Sequence, residues 1–122
     1  MALVWIALHH DKPADYRRVV AANVHQALVE TFAIAAEDLV QMVAGGEPQS
    51  LRYDHRIAHT ERSAELVLIQ VTAEDTRSAA QKRAFYRRVV ELLGTAPGIQ
   101  PDDIVVNLID VPKENWFAGA TG

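Results

Sequence analysis

Four short apolar blocks alternate with two longer segments whose apolar residues return at helical spacing. Leu3-Val4-Trp5-Ile6-Ala7-Leu8 is a β-branched and aromatic run of strand length, and it predicts a buried strand. Asp11 and Pro13 then open a helix, because proline presets the backbone for a first turn. Tyr16, Val20, Val24, Ala27, Leu28 and Thr31 supply its apolar face. Leu39-Val40-Gln41-Met42-Val43 reads as a second strand closed by Gly45-Gly46. Residues 45–62 are polar and irregular, and a loop of that length in a compact domain is usually functional or part of an oligomer contact.

The second half repeats the plan. Leu66-Val67-Leu68-Ile69-Gln70-Val71 is a strand, and Ser78-Ala79-Ala80-Gln81 carries the capping-box pattern of a helix start. That helix presents Phe85, Val89, Leu92 and Leu93, stops at Ala96-Pro97-Gly98, and leads into a fourth strand over Ile104 to Ile109. Tyr-Arg-Arg-Val-Val occurs at 16–20 and again at 86–90, early in each helix. The expectation is a single α/β domain over 1–122 with pseudo-repeats near 1–44 and 63–111. Two βαβ units then form a four-stranded sheet with two helices on one face. Such a layer leaves Trp5 and its neighbours on a bare sheet face, so the fold argument alone predicts an obligate oligomer.

Composition narrows the function classes. A chain of 122 residues that is 49% hydrophobic buries roughly two thirds of its unfolded surface in a real core. It contains no cysteine, which removes disulfides, thiolate metal ligands and a cysteine nucleophile. A net charge of −4 offers no global attraction to nucleic acid or anionic membrane. The apolar run Ala2–Leu8 is far too short to span a bilayer and lacks the basic flank of a signal peptide, so the expected compartment is the cytoplasm.

His55 and His59 have i, i+4 spacing, yet zinc needs at least three protein ligands, and the reading is of no metal site. His9-His10-Asp11 reads as a solvated strand end, and Lys82, Arg83, Arg87 and Arg88 as the outer face of the second helix. Neither a phosphate-cradling glycine motif nor a nucleophile elbow is present.

The stretch Pro97-Gly98-Ile99-Gln100-Pro101-Asp102-Asp103 followed by Ile104–Ile109, with Val111-Pro112-Lys113-Glu114-Asn115-Trp116 after it, resembles the tautomerase superfamily. Arg62-Ser63 and Arg77-Ser78-x-x-Gln81-Lys82 fit the branch that contains malonate semialdehyde decarboxylase, and the resemblance spans essentially the whole chain. It implies a tautomerase-like β-α-β fold, a homotrimer with sheets facing inward, small oxo-acid or enol substrates, and no cofactor. It also implies an N-terminal proline as the catalytic acid or base, exposed by removal of the initiator methionine.

At that decisive position the sequence carries Ala2. Removal of Met1 would expose a primary amine, whose unperturbed pKa of about 7.7–8.0 leaves roughly a tenth as free base at neutral pH. Such an amine can still abstract a proton or form an imine. Asp38 matches the branch's catalytic aspartate, and Arg77 matches the second of its two carboxylate-binding arginines, the first being replaced by Asp75. His25 matches a histidine of the related cis-chloroacrylate dehalogenases. Trp116 and Phe117 stand where the family closes an aromatic wall, with Trp116-Phe117-Ala118-Gly119 replacing Trp-Ser-Phe-Gly.

The resemblance therefore implies keto–enol tautomerisation of a small 2-oxo acid, with decarboxylation of a 3-oxo acid as a second reaction. Ala2, Asp38 and Arg77 would do the chemistry, and His25, Trp116 and Phe117 would bind the substrate. The alternative is a non-catalytic homotrimer that binds a small carboxylate or a partner, having lost its catalytic proline.

Overall fold

The computed structural model describes residues 1–119. Strand β1 (Ala2–Leu8) is followed by helix α1 (Ala14–Phe32) and strand β2 (Gln41–Ala44). Strand β3 (Val67–Glu74), helix α2 (Ala79–Thr95) and strand β4 (Ile104–Val111) complete the second unit. The sheet order is β2-β1-β3-β4. Within each βαβ unit the strands run parallel, and the units join through an antiparallel β1–β3 ladder in which Ala2 faces Ala73 and Leu8 faces Val67. Central strands paired on both edges explain why the first and third apolar blocks are the most continuous.

Alternation along the strands sorts the two faces. Ala2, Val4, Ile6 and Leu8 of β1 and Val67, Ile69, Val71 and Ala73 of β3 are buried beneath the helices. Val20, Val24, Ala27, Leu28 and Phe32 of α1 meet them, together with Phe85, Val89 and Leu93 of α2. The Phe32 and Phe85 rings sit 5.5 Å apart at the seam between the helices. Each such fully buried large side chain contributes about 1.5–3 kcal/mol. The intervening residues lie on the opposite face, where Trp5, Met42 and Ile109 keep 46%, 52% and 40% of their surface. An apolar hollow of about 310 Å³ opens on that face between Trp5, Leu68 and Val105, with Gln70 and Asn107 hydrogen-bonded to one another beside it.

Local signals account for the helix boundaries. Pro13, at φ −71°, leads into α1 without a side-chain cap, and Asp11 instead accepts from His9 Nδ1 at 2.8 Å. The capping box at Ser78 and Gln81 forms in full. The buried Asp103 accepts from both the backbone N–H and the hydroxyl of Ser63, which ties the entry of β3 to the start of β4.

Every strand departs from the sequence expectation at one end or both, β1 beginning at Ala2 and β4 running on to Val111. β2 begins at Gln41 rather than Leu39 and runs on to Ala44, because its ladder with β1 extends from the Val4–Gln41 pair to the Ala7–Ala44 pair. β3 runs past Val71 to Glu74, since the ladder with β1 continues to Ala2. A single 3-10 turn at Ile57–His59 interrupts the 45–62 segment.

Candidate active site

The carboxyl ends of β3 and β4, the start of β1, the end of α1 and the start of α2 converge at one end of the sheet. The antiparallel register that pairs Ala2 with Ala73 brings Met1 beside Glu74, and the Met1 amino group lies 2.6 Å from Glu74 Oε1. Asp38 Oδ2 stands 3.9 Å from the same nitrogen. The second Glu74 oxygen accepts from Arg77 Nη1 at 3.1 Å. One carboxylate thus bridges the chain's terminal cation and a guanidinium.

Each of these groups is placed by backbone rather than by its own side-chain preference. Ala33 adopts the left-handed region (φ 55°) and turns the chain off the end of α1. The Asp38 N–H then donates to the Ala35 carbonyl, and Val4 N–H donates to the Val40 carbonyl, so the Asp38 segment is pinned against β1. His25 reinforces this connection, with Nε2 donating to the Ala36 carbonyl at 2.7 Å. It therefore braces the segment that carries Asp38.

Arg77 is partly buried, and its guanidinium carbon lies 5.4 Å from the centroid of the Phe32 ring. Nε and Nη2 both donate to the Phe32 carbonyl, at 3.3 and 3.0 Å, which satisfies an orphan acceptor at the end of α1. Nη1 serves Glu74 and, at 3.3 Å, the Thr76 hydroxyl. Partial burial pushes the Glu74 carboxyl up, but hydrogen bonds from the terminal amine, its own backbone N–H and Arg77 outweigh this. The carboxyl is held below the ordinary glutamate range.

The structure brings Arg77, Asp38 and the chain start together, while Ala2 itself is buried in the ladder at 3% exposure. Trp116 turns its indole N–H to the carbonyl of Val111, the β4 residue registered with Glu74. Phe117 is 80% exposed, so the expected aromatic wall is not closed within one protomer. Glu74 is the residue that sequence reasoning missed. The alternation Val67, Ile69, Val71, Ala73 continues past the predicted strand end and was the available signal for it.

Comparison with known proteins adds independent findings. Residues 38–119 match the family described as tautomerase enzyme. The chain is 25% identical over 119 residues to the probable tautomerase YusQ of Bacillus subtilis (strain 168), covering 98% of this chain and 94% of that protein. A crystal structure of malonate semialdehyde decarboxylase superposes with a TM-score of 0.86 at 27% identity, covering 98% of this chain and 92% of the other. The fused 4-OT wild-type symmetric trimer shares the fold at a TM-score of 0.77 and 14% identity, covering 97% and 92%.

Proposed function

Because this chain belongs to the tautomerase enzyme family, we propose that it interconverts the keto and enol forms of a small 2-oxo acid at the cluster formed by the Ala2 amine, freed by removal of Met1, with Asp38 and Arg77. The observation that supports this most directly is the gathering of the chain start, two carboxylates and a guanidinium at one end of the sheet. Arg77 holds the substrate carboxylate. The free amine takes a proton from the carbon beside the keto group, and the carbonyl electrons move to oxygen. Asp38, half exposed and facing the amine, relays the proton that completes the enol. With a 3-oxo acid, the same Arg77 contact would hold the carboxylate for loss as carbon dioxide, in line with the decarboxylase likeness.

The assembly in this reading is a homotrimer of single 1–122 domains in the cytoplasm, requiring no cofactor. It is supported by the uncovered apolar face and by the trimeric fold relative. Packing of copies would also bring the exposed Phe117 against a neighbour and close the site that one protomer leaves open.

Ala2 favours a second reading, a non-catalytic trimer that binds a small carboxylate or a partner. If Met1 is retained, its amine lies about one Cα step, ~3.8 Å, from where an Ala2 amine would stand. A shift of that size costs orders of magnitude in rate. Intact mass decides which amine the protein carries. Ketonisation of phenylenolpyruvate then separates the readings: slow turnover in the wild type, raised by about 10²-fold in Ala2→Pro, is the expected result. Silence in both proteins would leave only the binding role.

A further inference from the structure

Glu74 occupies the place that a substrate anion needs. A 2-oxo acid in the proposed site must put its carboxylate on Arg77, and the Glu74 carboxylate already holds that guanidinium while its other oxygen holds the Met1 amine. The guanidinium has no spare bidentate edge. Its Nε and Nη2 side is committed to the Phe32 carbonyl, and its Nη1 hydrogens point to Glu74 and Thr76. A forked carboxylate–arginine pair therefore forms only if an Nη1 contact is given up, and the Glu74 contact is the charged one that repels the incoming anion. Glu74 is also held in its ionised form by the same donors, so an incoming anion meets a guanidinium already neutralised.

From this we propose that Glu74 is an internal competitor for the substrate carboxylate, a contact that must swing aside to admit an oxo acid and that sets the concentration at which the site fills. The inference rests on the tautomerase reading of the site.

Glu74→Gln keeps the shape and removes the charge. Its KM for phenylenolpyruvate should fall about tenfold, and pyruvate should bind about tenfold more tightly in a backbone-amide NMR titration. Adding Arg77→Met to Glu74→Gln should abolish the gain in both measurements. An unchanged or higher KM in Glu74→Gln would overturn the proposal, as would a gain that survives loss of Arg77. A fall in kcat at constant KM would also overturn it and make Glu74 a positioning residue for the amine. If the wild type turns over phenylenolpyruvate and Glu74→Gln gains nothing, this inference alone fails. If both are folded and neither binds pyruvate nor turns over phenylenolpyruvate, the functional reading fails with it.

Discussion

Tyr16 shows how a single side chain can carry a pH dependence unrelated to the candidate site. Its ring packs at the edge of the core, Lys12 Nζ sits 4.9 Å from its centroid, and its hydroxyl lies 3.3 Å from Glu65 Oε2. Burial first, and then the negative charge of Glu65, push the phenol up to about 12. In the unfolded chain the same group titrates near ~10. The folded state therefore holds the proton longer. The stability Tyr16 confers is complete below pH ~10 and is lost as pH rises through the folded value of about 12. Urea unfolding across that window should show a falling stability in the wild type and a shallower fall in Tyr16→Phe. At this scale the sequence marked Asp38 and Arg77 through a family resemblance, whereas Glu74 lay beyond the predicted strand and its meeting with Met1 was set only by the β1–β3 register.

Among the elements, the end of β2 depends on one glycine. Gly45 has φ +98°, and a Cβ added there would lie 1.8 Å from the Leu8 carbonyl oxygen. Arg17 closes the same corner by donating to the carbonyls of His9, Lys12, Ala44 and Gly45, so it staples the ends of β1 and β2 to the start of α1. Gly45→Ala is expected to cost at least ~2–3 kcal/mol, from backbone strain and the forced separation of the strands. Gly46→Ala, where an added Cβ would meet open space, should stay within about 0.5 kcal/mol of wild type. Comparative urea denaturation decides between them. The glycine pair was legible as a strand terminator, but which glycine was indispensable was not. That depends on how closely the Leu8 carbonyl approaches, a distance between segments far apart in sequence.

Viewed as a whole, the molecule has two unlike sides. Beneath the helices the sheet is sealed, while the other face presents Trp5, Met42 and Ile109 to solvent and opens an apolar hollow lined by Trp5, Leu68 and Val105. A patch of that kind on a small protein marks a contact surface. Trp5→Glu should lower the assembled mass toward that of one chain in sedimentation velocity while leaving the far-ultraviolet spectrum intact, because Trp5 points away from the helix-side core. A trimer that survives this change would place the subunit contacts elsewhere.

What the sequence determined by itself was the element order, the two core-facing helix stripes and the existence of a bare apolar face. All three follow from periodicity and burial, which are local properties of the chain. The strand ends, the antiparallel joining of the two units and the meeting of Met1, Asp38, Glu74 and Arg77 were decided only by tertiary structure. The physical reason is that a ladder's register is fixed by pairing across many intervening residues. In this chain that register sets a carboxylate on β3 against the start of β1, which no pattern within either segment encodes.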